Sequence, residues 1–228
     1  MKKVHLEEDA LLLIEQNFYF LQTGAFFTAL AKEHPLVKTC NMNISKKIDK
    51  KYVYEFNALI IKEMLENTYE SSTEETVLFE YFVEMNAFRG ICMAMVEALR
   101  LNGNFKTFIE EKLKTQYEDF FDLLSFIRNV LSHNIHADIY LDVKDYEGTL
   151  KRRIRMKKKP KIEFSFNYMK HLAEIKAPSE AYGFSTAIDL VYLGEETAFL
   201  EVLSLWELMM ISELCFNLVI SYKLSNAS

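Results

Sequence analysis

Apolar residues recur every three or four positions along most of the chain, which is the spacing of amphipathic helices. The last of these helices begins near Thr197 and the third ends at an Asn102-Gly103-Asn104 stop. We expect the polar residues between consecutive helices to form loops. The pattern therefore predicts long helices over residues 6–32, 45–67, 73–101, 105–133 and 197–222.

The periodicity changes from helical to alternating after residue 138, which indicates strands. Asp145 to Gly148 has the composition of a turn between the first two strands. The apolar positions that define the three strands are Ile139, Leu141 and Val143, then Leu150, Ile154 and Met156, and finally Ile162, Phe164 and Phe166. We predict a mainly α fold, a helical bundle of four to five long helices with a three-stranded antiparallel β insert, about 138–167, before the last helix. The pattern shows no domain boundary, so residues 1–228 are predicted to be one domain.

Composition supports a helical, intracellular protein. Only 6 glycines and 3 prolines occur among 228 residues, which favours few long elements. Three cysteines without a Cys-x-x-Cys pair indicate neither a disulfide framework nor a zinc site, and a reducing cytoplasm fits best. Acidic residues at 7–9 argue against a signal peptide, and three glutamates within 198–220 argue against a membrane span. A net charge of −6 disfavours general coating of nucleic acid but allows a local basic patch.

The best candidate for chemistry is the segment Ser-Phe-Ile-Arg-Asn-Val-Leu-Ser-His, in which Arg128, Asn129 and His133 end an apolar helix. Arginine offers a planar fork for phosphate oxygens, and histidine exchanges protons near neutral pH. On a regular helix Arg128 and His133 point about 140° apart. The site therefore requires either that the helix loosens near Leu131 or that two copies face each other, and we favour a dimer.

This segment, together with the order of helices around it, resembles the HEPN superfamily, whose motif is Arg, often followed by Asn, with His four to six residues beyond. The resemblance implies a metal-independent endoribonuclease that works as a homodimer without a cofactor, in toxin–antitoxin or phage-defence systems. Arg128 would bind the phosphate, His133 would act as acid or base, and Asn129 would orient the site. RNA and a cognate antitoxin protein are the implied partners. Ile135 stands where antitoxin-modified members often have tyrosine, which makes that system less expected.

A second basic cluster lies on the predicted middle strand, where Lys151, Arg153, Arg155 and Lys157 alternate onto one side. Such a stripe can track an RNA backbone, or it can be a solvated edge strand whose charges prevent aggregation.

The Arg128–His133 motif also has a second interpretation, in which Arg128 and His133 only complement the dipole at a helix end. The alternative function for the whole chain is a non-catalytic helical module for dimerisation or protein interaction.

Overall fold

Helices make up most of the chain that the computed structural model describes, namely residues 3–33, 45–47, 53–55, 78–134, 139–167, 183–194 and 196–226. These residues belong to two compact units, Met1–Phe20 with Met85–Ser228, and Leu21–Glu84. The helices are α1 (Lys3–Glu33), α2 (Leu78–Arg100), α3 (Asn104–Leu113), α4 (Tyr117–His133), α5 (Val143–Arg155), α6 (Phe199–Val202) and α7 (Leu205–Asn226). The strands are β1 (Ser45–Lys47), β2 (Val53–Glu55), β3 (Lys161–Asn167) and β4 (Gly183–Asp189).

The helix predicted over 45–67 is wrong where the structure describes it. Strands β1 and β2 pair antiparallel there, with Lys46 opposite Tyr54. Val53 and Tyr54 have side chains that favour extended backbone, and their cross-strand pairing outweighs the helical spacing of the apolar positions nearby. The remainder of that predicted helix lies outside the described residues.

The helix predicted over 105–133 is two helices. Helix α3 ends at Leu113, a 3₁₀ turn follows over Lys114–Gln116, and α4 begins at Tyr117. Lys114 has a positive φ of 51°, a left-handed conformation that cannot continue a right-handed helix. Helix α4, which begins after the break, has ten buried residues.

The predicted three-stranded insert is wrong, although its third strand is confirmed as β3. Residues 139–141 make a single bridge, Tyr140 to Ala198, and the predicted second strand is mostly helix α5. Helix α5 starts at a capping box, in which the side chains of Asp142 and Asp145 each accept a hydrogen bond from the backbone N–H of the other residue. That box forms where the sequence suggested a turn, and β4, the partner of β3, lies outside the insert predicted over 138–167.

Helix α4 packs on both α5 and the β3–β4 sheet. The alternating inward side chains of β3 are buried, and the Phe120 and Phe164 rings lie 5.3 Å apart. At the start of α4, Asp119 accepts a hydrogen bond from the backbone N–H of Glu163 at 3.3 Å. The sheet thus supports the N-terminal half of α4. The C-terminal half of α4 contacts the start of α5.

Helix α7 is the one helix of the described chain long and apolar enough to cross a membrane by length and composition. Half of its most apolar window is buried inside the protein, where Leu214, Cys215 and Leu218 are fully inaccessible. Core helices of soluble proteins combine length with burial in this way, and α7 is consistent with such a helix.

Candidate active site

Helix α4 remains regular through the whole motif. It is α-helical as far as His133, and the N–H of Asn134 still donates to the carbonyl of Val130 at 3.2 Å. The alternative in which the helix loosens near Leu131 is therefore wrong. The dimer that we favoured stays a prediction.

Asn129 connects the two diverging side chains to one network. The Arg128 Nε and Nη2 atoms donate to Asn129 Oδ1 at 3.1 and 2.6 Å. On its other side, Asn129 Nδ2 donates to the backbone carbonyl of Asp145 at 3.2 Å. Asn129 thereby holds the guanidinium of Arg128 and connects it to the first turn of α5. Its role in orienting a catalytic site stays a prediction.

His133 reaches the same turn of α5 through its ring. Its Nδ1 lies 2.9 Å from Oδ1 of Asp145, whose side chain is completely buried. A carboxylate in contact with Nδ1 favours the proton on that nitrogen. Because 41% of the His133 side chain is exposed, Nε2 is the nitrogen left to exchange a proton with a substrate.

Asp145 is a candidate site residue that the motif does not contain. Besides His133, its Oδ2 accepts hydrogen bonds from the Asp142 N–H at 2.9 Å and from Asn134 Nδ2 at 3.3 Å. The same carboxylate closes the capping box of α5, where the helix dipole favours negative charge. The signal in the sequence was the Asp-x-x-Asp spacing, a helix-start pattern that the turn-like composition of 145–148 obscured.

Arg128 occupies a site with surplus positive charge. Burial lowers the pKa of its guanidinium, and the nearby charge of Arg100 lowers it further, while Glu97 opposes the shift. Glu97 is itself bound to Arg100 at 2.8 Å. Within the described part of the chain, no ion pair joins Arg128 to a carboxylate. A half-buried cation that is only partly neutralised favours the binding of an anion.

The structure redistributes the four basic residues that were predicted to form an RNA-binding stripe. Arg153 is 4% exposed and binds Asp119 at 2.9 Å and Asp122 at 2.7 Å, so its placement on an open stripe is wrong. The physical reason is that the segment is helical, which turns every third or fourth side chain toward α4. The exposed members are Lys151, which pairs with Glu147 at 2.5 Å, and Arg155 and Lys157.

Among the residues that the structure describes, no three His, Cys, Asp or Glu side chains come together as metal ligands. No protein-family model, curated protein or solved structure matches this chain. The resemblance to the HEPN superfamily therefore rests on the motif and the helix order alone.

Proposed function

We propose that the protein is a metal-independent endoribonuclease in which Arg128 and His133 act on the phosphodiester. The observation that carries the proposal is the continuous hydrogen-bond network from Arg128 through Asn129 to Asp145 and His133. It joins a permanently charged anion-binding group to a histidine held by a buried carboxylate. This combination suits general acid–base catalysis at a phosphate.

The proposed reaction uses the RNA's own 2′-hydroxyl as the nucleophile. His133 Nε2 accepts the hydroxyl proton, and the 2′-oxygen bonds to the adjacent phosphorus. The bond from phosphorus to the 5′-oxygen then breaks, and that oxygen takes a proton from water or from His133 of a second copy. The products are a 2′,3′-cyclic phosphate and a 5′-hydroxyl. Asp145 holds the ring so that Nε2 meets the hydroxyl and offsets the charge of the imidazolium.

Arg128 would bind the non-bridging phosphate oxygens, where negative charge gathers during the reaction. Its Nε and Nη2 atoms are engaged with Asn129, which leaves both Nη1 protons and one Nη2 proton as donors. These donors suffice for a two-point contact with phosphate. The surplus positive charge around Arg128 supports this role, because a bound phosphate would reduce it.

The direct test is cleavage of single-stranded RNA by purified protein in EDTA, with analysis of the product ends. We expect 2′,3′-cyclic phosphates, and we expect Arg128→Ala and His133→Ala each to lower the rate at least 100-fold. Arg89→Ala on α2 is the control for loss of an arginine outside the network. Thermal melts must show that all variants remain folded. Activity that survives in both site variants would overturn the assignment.

The predicted dimer has its own test within this proposal. If each site takes Arg128 from one copy and His133 from the other, mixing the two inactive variants will restore part of the activity. If each site lies within one chain, the mixture will stay inactive. Light scattering of the wild type across a concentration series reports whether the dimer exists.

A non-catalytic interaction module is the second candidate function, favoured by an apolar stripe on α1. Leu12, Leu13, Tyr19 and Phe20 each expose between 48% and 54% of their surface, although the Tyr19 ring also contacts Phe216 edge-on. Exposed apolar faces of this kind are typical of helix docking. This candidate predicts stable association that Leu13→Glu abolishes, with no RNA cleavage in EDTA.

A further inference from the structure

The C-terminal end of α5 carries the most concentrated positive charge of the described chain, which we call the basic turn, residues 155–159. It contains Arg155, Lys157, Lys158 and Lys159. Among the described residues, Arg155, Lys157 and Lys158 have no hydrogen bond or ion pair through their side chains. Lys159 lies near Glu163, which is itself paired with Lys161 at 2.8 Å. The positive charge of the turn is therefore largely uncompensated.

The two arginines that precede the basic turn, Arg152 and Arg153, make the ion pairs that join this end of α5 to α4. Arg152 binds Glu118 and Asp122, and Arg153 binds Asp119 and Asp122. These ion pairs satisfy the acidic residues at the start of α4 before the basic turn begins. The cations that follow have no ion pair with that cluster; Arg155, Lys157 and Lys159 are exposed, and Lys158 is half-buried.

The backbone conformation of Lys157 is a second indication that the charge of the basic turn has a function. Its N–H donates to the carbonyl of Ile154, and the Lys158 N–H donates to the carbonyl of Arg153, which together form a Schellman motif. The residue in the left-handed position of this motif is usually glycine, yet Lys157 occupies it with φ of 57°. A lysine at a position that disfavours side chains suggests a use for its charge.

Helix α5 links the basic turn to the proposed active site. Asp145, which holds His133, lies in the first turn of α5, and Lys157 follows the last turn. Twelve residues at 1.5 Å each separate them by about 18 Å along the helix axis. That length corresponds to about five nucleotides at the 3.4 Å rise of a stacked strand.

We infer that the basic turn binds the phosphate backbone of a single-stranded RNA whose scissile bond lies at His133. The inference rests on the proposed function and adds to it where the flanking part of the substrate is held. The turn would contact phosphates about five nucleotides from the cleavage site. A dinucleotide would then be too short to reach it.

The test is fluorescence anisotropy with a labelled 12-nucleotide RNA of mixed sequence, bound to protein that carries His133→Ala to prevent cleavage. The variant Lys158→Gln with Lys159→Gln removes two charges from the basic turn. The matched control, Arg89→Gln with Lys106→Gln, removes two charges from α2 and α3. Each phosphate contact contributes about 0.7 to the slope of log affinity against log salt for a single strand. We therefore expect the slope to fall by about 1.4 and affinity at 0.1 M salt to fall roughly 10- to 30-fold, with under 2-fold change in the control.

Two further measurements make each outcome decisive. Lys157→Gly is expected to lower RNA affinity while raising the denaturation midpoint, a combination that a purely structural lysine would not give. With His133 intact, cleavage of a dinucleotide should be the same in wild type and in the basic-turn variant. Equal loss of RNA affinity in the variant and its control overturns the inference, as does binding to anionic lipid vesicles without binding to RNA. RNA binding that depends on the turn, without cleavage by wild type, overturns only the proposed catalytic function.

Discussion

Replacing Asp145 by Asn separates the orienting role of this residue from its bulk. The carboxylate accepts hydrogen bonds from His133, from the Asp142 backbone and from Asn134. Asparagine has nearly the same shape but only one acceptor oxygen, and its amide group would face one of these donors. If the amide turns toward His133, it forces the proton of the neutral ring onto Nε2, the wrong nitrogen for accepting a proton from substrate.

The expected magnitudes follow from these contacts. Asp145→Asn removes a buried charged acceptor and places one donor against another. Together these changes lower the unfolding free energy by about 1–3 kcal/mol. Loss of the correct ring tautomer lowers the cleavage rate by a factor on the order of 10² to 10⁴. The rate loss should therefore exceed anything that partial unfolding explains, provided that the variant is folded at the assay temperature.

The assay combines RNA cleavage, urea unfolding and ¹⁵N NMR of the His133 ring. Asp142→Asn is the matched control, because asparagine still accepts the Lys144 N–H and caps α5 as well as aspartate does. In the control, activity should remain near wild type. In Asp145→Asn, the NMR spectrum should show Nδ1 losing its proton in the neutral ring. A folded Asp145→Asn protein that cleaves RNA within about 3-fold of wild type would refute the role given to this carboxylate.

Three other predictions concern the fold. Burial raises the pKa of Asp122, although two arginines bind it. Asp122→Asn should lower the unfolding free energy measured in urea by about 1–3 kcal/mol, because it removes one of the two carboxylates that pair with the buried guanidinium of Arg153. Glu147→Gln breaks the exposed ion pair with Lys151 and should lower the unfolding free energy by under about 0.5 kcal/mol. Equal losses of unfolding free energy in the two variants would show that the Asp122 cluster is not buried in solution. Lys157→Gly should stabilise the protein by up to about 1 kcal/mol by relieving a left-handed lysine, and no gain would mean that the helix ends differently. Burial raises the pKa of Cys92 to about 12 and also raises that of Cys215, so iodoacetamide at pH 8 should alkylate neither until urea is added, as mass spectrometry of peptides can check.

Periodicity predicted that the chain is mainly helical, but it did not predict the number and bounds of the long helices or the short strands. Helices α1, α2 and α7 have apolar positions that repeat over four or more turns, and each lies mostly within a predicted helix. The helices predicted over 105–133 and 197–222 are each interrupted, the first at Lys114–Gln116 and the second between Val202 and Leu205. The three-residue strands β1 and β2 offer too few positions to distinguish a period of two from a helix. In the basic segment, Leu150 and Ile154 fit either a helix or one face of a strand, and the Asp142–Asp145 capping box decides for the helix.

The candidate site was predictable as a set of residues but not as an arrangement. The motif named Arg128, Asn129 and His133, and simple helix geometry correctly showed that the first and last diverge. What the sequence could not show was the start of a second helix packed against the end of α4. Its buried aspartate binds the histidine through a side-chain oxygen and the asparagine through its backbone carbonyl.

The network makes the candidate chemistry depend on the start of α5. The carboxylate that holds His133 also accepts the Asp142 N–H in the capping box, so fraying of that helix end would release the ring as it uncaps the helix. At its far end, α5 is anchored to α4 by the buried Arg153 with Asp119 and Asp122. Rigid anchoring at one end and a functional contact at the other would let α5 keep the histidine and the basic turn at a fixed separation. A substrate held by both would be positioned by a single helix rather than by loops, which is the condition under which an oriented histidine is most effective.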